Sequence, residues 1–344
     1  MPGPFDISME LTLKDRIQIF SKLGDLLSNE EELKEWARDA YNQNNWFNEE
    51  NVLSAIKGIK AMLTPNTLEK WLGNYKIQRT DAKKVGIIAA GNIPLVSFHD
   101  IMCVLLTGHI AVIKASSQDS ILIKRILMKL TELEPSFQEQ IVYADQLKNI
   151  DAVIATGSDN SSRYFEYYFS KMPHIIRKNR VSVAVLTGEE SESDLGSLGK
   201  DILDYYGLGC RNVSKIYVPE DYIFNFFFES IEKYSSKINH HKYRNNYDYN
   251  RTIYMLNQVV HLDNGFLLLT ENKELVSPIS VLYFERYKNI EDVKVELESK
   301  KEKLQVIVSL NGTFPNSIPF GTAQCPMPWD YADGVDTIQF LLNI

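Results

Sequence analysis

A two-domain α/β fold is what this sequence predicts, each domain with a largely parallel sheet flanked by helices, plus an N-terminal helical segment. Three observations carry that prediction. Short apolar strands alternate with amphipathic helices from Lys84 onward, the alternation restarts near Val181, and 344 residues suffice for two sizeable cores. Strands separated by helices pair in parallel through right-handed crossovers, an architecture that nucleotide-binding domains share.

Taken in order, the chain reads as helices up to about residue 75. Ile17, Phe20, Leu23 and Leu27 share one face, with Asp15, Lys22 and Asp25 turned away from it. Ser28 or Asn29 can cap a second helix through Trp36, and Asn48 a third over about 51–63. Buried strands are then expected at 85–90, 109–114 and 151–155, with helices at 95–106, 120–133 and 161–169. In the second stretch strands fit 181–186, 213–218, 280–284 and 304–309, with helices at 195–206 and 290–299. Polar residues dominate 233–251, which reads as a surface excursion. Gly and Pro after Asn311 precede a last apolar stretch, 337–344. The expected domains are 1–180, 181–321 and a tail over 322–344.

Composition excludes several function classes. With 44% hydrophobic and 24% charged residues the chain has an ordinary globular make-up, and a net charge of −8 argues against nucleic-acid or anionic-membrane partners. The most apolar region, 87–113, is broken by Asn92, Pro94, His99, Asp100 and His109, so no membrane span is expected. Met1-Pro2-Gly3-Pro4 begins no secretory signal. Three scattered cysteines make neither a disulfide framework nor a zinc site, and six histidines show no ligand spacing, His240-His241 included. No metal is expected, and the compartment is a reducing cytoplasm.

Four turns carry the chemistry. Gly91-Asn92-Ile93-Pro94 follows the first sheet strand, at the carboxyl end where open α/β sheets bind ligands. The Asn92 amide there can donate to a developing oxyanion, or the segment is simply a turn. Lys114 ends the next strand, where it can reach solvent or a nucleotide ribose. Thr156-Gly157-Ser158 opens a helix and offers backbone amides to a phosphate, or an ordinary Ser cap. Cys210, beside Gly207 and Gly209, is either a thiol that a ligand can approach closely or a buried cysteine next to a flexible turn. Gly207-Leu208-Gly209 is no dinucleotide fingerprint, because it follows a helix and precedes a strand.

The order of these turns resembles the aldehyde dehydrogenase superfamily, over about 84–321. Ala90-Gly91-Asn92-Ile93-Pro94-Leu95 is similar to its Trp-Asn-Phe-Pro turn, which implies an oxyanion role for Asn92. Val112-Ile113-Lys114 is similar to the strand whose Lys meets the adenosine ribose, and Ala155-Thr156-Gly157-Ser158 to its Phe-Thr-Gly-Ser phosphate turn. Cys210 takes the nucleophile's place. Glu274-Leu275-Val276-Ser277-Pro278 is similar to the Glu-Ile-Phe-Gly-Pro motif, whose Glu holds the nicotinamide ribose, and Pro319-Phe320-Gly321 to a late loop.

Two departures narrow the implied reaction. Hydrolytic members carry a Glu-Leu-Gly-Gly segment whose Glu activates water; here Arg177-Lys178-Asn179-Arg180 has no carboxylate, so an acyl-thioester would be passed on or reduced. Three residues after the ribose Lys, NAD-preferring members often carry Glu; here Ser117 removes the repulsion against a 2′-phosphate, though Asp119 is near in sequence. The resemblance therefore implies NADPH, with NADH less favoured. Within the superfamily, Gly91-Asn92-Ile93-Pro94, Cys210-Arg211-Asn212-Val213-Ser214-Lys215 and the 330–337 segment resemble the long-chain acyl-CoA reductases of the bacterial bioluminescence type. That implies a fatty acyl-CoA substrate, reduction to the aldehyde through a Cys210 thioester, and nucleotide binding by Lys114, Ser117, Gly157, Ser158 and Glu274. It leaves room for an acyl-transferring or acyl-activating partner protein, and for a homodimer extended through a strand at 337–344. Two alternatives stand: an acyl-phosphate reductase, for which Arg177, Lys178, Arg180 and Arg211 would form a basic pocket, and a non-catalytic binding protein. The aromatic run Phe224 to Phe228 reads as core before it reads as a fatty tunnel.

Overall fold

Four capped helices open the region that the computed structural model describes, residues 11–77 and 81–344; residues 1–4, read above for a secretory signal, lie outside it. α1 (Leu13–Leu26) starts at Thr12, whose hydroxyl and backbone amide trade bonds with Asp15. Asn29, Asn48 and Thr64 cap α2 (Glu30–Gln43), α3 (Glu49–Met62) and α4 (Pro65–Leu72) through their side chains. α2 runs seven residues past Trp36 because Ala37 and Ala40 continue its buried stripe. Phe20, Leu23, Trp36, Ile56 and Trp71 face one core with the sheet that follows.

That sheet alternates β1 (Lys84–Ile88), α5 (Phe98–Leu106), β2 (Ile110–Lys114), α6 (Ser120–Leu133), β3 (Ile141–Tyr143), β4 (Ala152–Thr156), α7 (Asp159–Phe169) and β5 (His174–Arg177). Its order is β3-β2-β1-β4-β5, all parallel. β3 and β5 are additions to the sequence reading: each is an edge strand of three or four residues, too short for a burial period to show. The chain leaves β1 toward one edge and returns to β4 on the other side, so β1 and β4 flank a topological switch point.

The second sheet contains β6 (Val181–Val185), α8 (Glu192–Leu203), β7 (Val213–Pro219), α9 (Asn225–Ile231), α10 (His241–Leu256), β8 (Leu262–Asp263), β9 (Leu268–Glu271), β10 (Val281–Tyr287), α11 (Ile290–Ser299), β11 (Leu304–Ser309) and β12 (Ser317–Pro319). The order is β12-β11-β6-β7-β10-β9-β8, parallel except for the β8–β9 pair. The polar stretch expected as a surface excursion is mostly α10. Tyr243, Tyr247 and Asn250 give it a buried stripe: Tyr243 donates to the Phe266 carbonyl (2.9 Å) and Asn250 to that of Ile279 (2.9 Å). Tyrosines bury their rings while keeping a partner for the hydroxyl, which an apolar-residue count overlooks.

The closing stretch overturns the strand expected at 337–344. It is α12 (Thr337–Leu342), capped by the Asp336 carboxylate on the Gln339 amide (2.8 Å). Ile338 and Leu341 are buried three residues apart, the spacing of a helix face, so the segment has no strand edge to offer a second copy. The chain divides into two compact units: unit 1 runs to Lys178 and takes back Met327–Ile344, and unit 2 is Asn179–Pro326. Within unit 1 the returning segment is held by polar contacts. Trp71 donates to the Tyr331 hydroxyl (2.8 Å), Tyr75 to Asp336 (2.7 Å), and His109 pairs with the Leu341 carbonyl (3.0 Å).

Candidate active site

In unit 1 the predicted residues fall on three turns at the carboxyl end of one sheet. Ile88, Lys114 and Ala155 are register partners, so the ends of β1, β2 and β4 stand level on either side of the switch point. After β1, Gly91 is buried; a Cβ there would collide with the Ser116 hydroxyl and stand 2.7 Å from its Cβ. Only glycine lets this turn lie against the loop that follows β2. Asn92 is exposed beside it. Leu95 then takes a left-handed conformation (φ 58°), and its amide donates to the buried Asp119 carboxylate (2.7 Å). Burial pushes the Asp119 carboxyl well above the usual range, against the opposing pull of that amide.

Lys114 and Ser117 are both exposed on the loop after β2. Gln43, at the end of α2, pins that loop by donating to the Ser117 carbonyl (2.9 Å) and the Ser120 hydroxyl (2.7 Å). The third turn brings Gly157 and Ser158 to the start of α7. A Cβ on Gly157 would lie 2.8 Å from the Phe165 ring, and the Ser158 hydroxyl accepts from the Ser161 amide (3.3 Å). Ser158 thus is a helix cap, and the first turn of α7 keeps its positive end at the switch point.

In unit 2 Cys210 lies on a loop that is clamped at several points. Tyr205, Tyr206 and Gly207 are three consecutive left-handed residues (φ 52°, 57° and 77°), and both tyrosines are buried. A non-glycine residue held there costs about 1–3 kcal/mol and persists only where its surroundings enforce it. The Cys210 carbonyl accepts from Ser182 on β6 (3.0 Å). Asn212, buried, donates to the Asp201 (3.0 Å) and Asp204 (2.8 Å) carbonyls and accepts from the Gly209 amide (2.8 Å). The Cys210 side of the loop is therefore stapled to the end of α8. Cys210 is half-buried, whereas Cys103 is fully buried with its thiol pKa pushed well up by that burial.

Glu274 is exposed in the loop after β9, and β7 holds that loop on both sides of it. Ser214 donates to the Leu275 carbonyl (2.6 Å) and Lys215 to that of Lys273 (3.0 Å). The segment leaving Cys210 and the segment carrying Glu274 are thus joined within unit 2. The Pro319-Phe320-Gly321 loop is gathered onto the same helix end as Cys210: Asp201 of α8 accepts from the Gly321 (2.6 Å) and Ala323 (3.0 Å) amides. Burial pushes Asp201 up to about 7, the two amides opposing it. Gln43, Asp119, Asp201 and Asn212 hold these loops; the sequence reading names only Asp119, as a carboxyl near Ser117, and Asn212, within the Cys210 segment, and gives neither a supporting role. Apart from the Gly209 amide, their partners lie on other elements, far enough along the chain that a local reading does not pair them.

Of the four cations proposed as a basic pocket, Arg177 is buried in an ion pair with Asp100 and also donates to Thr337 (3.0 Å). Lys178 pairs with Glu166 (2.8 Å), Arg180 donates to the Leu304 carbonyl (3.1 Å), and Arg211 to that of Ala323 (3.4 Å). Phe224 and Phe227 are buried and Phe226 is exposed, the alternation of a helix packed on its core. Among the described residues no group of three His, Cys, Asp or Glu could hold a metal ion, and no helix is long and apolar enough to cross a membrane.

A family model described as acyl-CoA reductase (LuxC) matches residues 9–311. No curated protein sequence matches the chain. Solved structures with a similar fold include the indole-3-acetaldehyde dehydrogenase AldA of P. syringae, solved with NAD+ and IAA, at 12% identity and TM-score 0.66, covering 89% of this chain and 74% of that one. An aldehyde dehydrogenase from Bacillus cereus, in its NAD+ complex, gives 15% identity and TM-score 0.61 over 90% and 73%. An NADP-dependent enzyme of E. coli gives 13% and 0.62 over 87% and 73%. At these identities the likeness is one of fold, and the fold is that of the aldehyde dehydrogenases.

Proposed function

The chain belongs to the acyl-CoA reductase (LuxC) family, and from that premise we propose that it reduces a long-chain fatty acyl-CoA to the aldehyde with NADPH, through a thioester on Cys210. Family and fold together make it an oxidoreductase of acyl or aldehyde groups. The observation that carries it is the Cys210 loop: a half-buried thiol on a backbone held in left-handed turns and stapled by Ser182 and Asn212. A cysteine that merely filled a core would look like Cys103.

In this reading the Cys210 thiolate attacks the acyl carbonyl, and the Asn92 amide and the Cys210 backbone N–H donate to the oxyanion. The C–S bond to coenzyme A breaks, CoA leaves as its thiolate, and the acyl group stays on Cys210. NADPH, when bound, would supply the hydride for the acyl carbon; the bond from that carbon to the Cys210 sulfur then breaks, freeing the aldehyde and returning the Cys210 thiolate. The residues present fit such a dinucleotide. Gly157 and Ser158 offer the start of α7 to a phosphate at the switch point, and Lys114 and Ser117 are exposed one strand away. Glu274 is exposed for the nicotinamide ribose. The phosphorylated dinucleotide is favoured because Ser117 is neutral, while the carboxyl nearest in sequence, Asp119, is buried on the Leu95 amide. A thiol nucleophile also suits a reducing cytoplasm. The acyl-phosphate alternative is weakened by the ion pair of Arg177 with Asp100, which neutralises one of its four cations.

Incubating the protein with a long-chain acyl-CoA and measuring intact mass tests the reading. One acyl group should be added, the adduct should be lost on adding NADPH with release of aldehyde, and Cys210→Ala should form none. Absence of a Cys210-dependent adduct would exclude this mechanism, and turnover of acyl-phosphate alone would favour the alternative. Asn92→Ala should slow acylation by roughly 10²–10³ without unfolding the protein.

A further inference from the structure

We propose that Asp119 is a positioning residue for Asn92, an inference that rests on the oxyanion role argued above. Asp119 occupies the N-cap position of α6, where a carboxylate ordinarily accepts from an amide of its own helix. It makes no such bond. Gln43 from α2 takes over that duty, its amide oxygen accepting from the Ile121 N–H (3.1 Å). The Asp119 carboxyl, 1% exposed, is turned instead to the Leu95 amide at 2.7 Å. Its other oxygen has no hydrogen-bond partner among the described residues, so the side chain is devoted to that one bond.

Leu95 is the residue that needs it. Its left-handed φ of 58° is unfavourable for a branched side chain, and its carbonyl accepts from the Phe98 amide (3.0 Å), the entry to α5. Without an anchor on the Leu95 N–H, an ordinary extended or right-handed conformation would swing the preceding residues. Upstream, Gly91 lies directly against Ser116. Asn92 is therefore held between two contacts, Gly91 on Ser116 and Leu95 on Asp119, both supplied by the loop after β2. Ser116 and Asp119 are themselves tied, the Asp119 amide donating to the Ser116 carbonyl (3.2 Å). The turn and the loop that carries Lys114 and Ser117 form one braced piece.

The test is single-turnover release of CoA from the full-length protein by Asp119→Leu, Asp119→Ala and Asp119→Asn, alone and combined with Asn92→Ala, with folding checked by thermal unfolding. Asp119→Leu refills the buried space and keeps the experiment open if Asp119→Ala does not fold. Both should slow acylation by roughly 10-fold or more, with little change in KM for the acyl-CoA. Asp119→Asn, whose amide oxygen still accepts from Leu95, should restore most of the rate. The double variant of Asp119→Leu with Asn92→Ala should be no slower than Asn92→Ala alone, because a residue acting through Asn92 has nothing left to position. Wild-type acylation by Asp119→Leu, failure of Asp119→Asn to rescue, or a double variant slower by the product of the two effects would overturn the proposal. Unchanged acylation by Asn92→Ala alone would show that the oxyanion reading itself had failed, a result visible without any Asp119 variant.

Discussion

Asn212 illustrates how much one amide can hold in place. Its NH2 group faces carbonyls at the end of α8 while its oxygen takes the Gly209 amide. Asn212→Ala should lower stability by about 2–4 kcal/mol, since buried carbonyls and an amide lose their partner. Asn212→Asp should be worse, turning a carboxylate toward carbonyl oxygens; urea unfolding of both variants measures the difference. Asp201 makes a separate statement about pH. Its folded-state value of about 7 lies above the ordinary carboxylate value. The stability linked to it is therefore fully present below about pH 4 and is lost as pH rises through about 7. The fall in Tm between pH 5 and pH 8 should be smaller in Asp201→Asn than in wild type. Cys210, Asn92, Lys114, Ser117, Gly157, Ser158 and Glu274 were legible as candidates because each stands in a distinctive turn or motif. Their supports were not, because the Gln43–Ser117 and Asp201–Gly321 bonds join residues 74 and 120 positions apart.

Elements were legible where they were long and apolar. α6, β1, β2, β4 and β6 emerge from periodicity alone, since one face or both must be buried. Short edge strands such as β3 and β12 have too few residues to show a period, and α10 hides its buried stripe in tyrosines. The misread tail has a similar cause: an apolar run of eight residues fits a strand or a helix, and only the Asp336 cap and the Ile338–Leu341 spacing decide it. Asp336 also takes the Tyr75 hydroxyl. Asp336→Ala should therefore cost about 1–2 kcal/mol, with Asp336→Asn intermediate, measured by chemical denaturation.

For the whole molecule, the two rounds of strand–helix alternation were visible because each parallel sheet must send its chain through a crossover. The return of Met327–Ile344 to unit 1 was not visible, since the contacts that recruit it, Trp71 and Tyr75 with Tyr331 and Asp336, are polar bonds between distant residues. A chain ending at Pro326 should expose α5 and the His109 region, with faster hydrogen exchange there than in unit 2. The same discontinuity sets a schedule for synthesis. Unit 2 is contiguous and can finish folding as it leaves the ribosome, while unit 1 must wait for a segment translated after all of unit 2. At ordinary elongation rates that wait is on the order of ten seconds. During it the nascent α5 face lacks its Ile338 and Leu341 cover, a window in which chaperones and premature self-association compete for the chain.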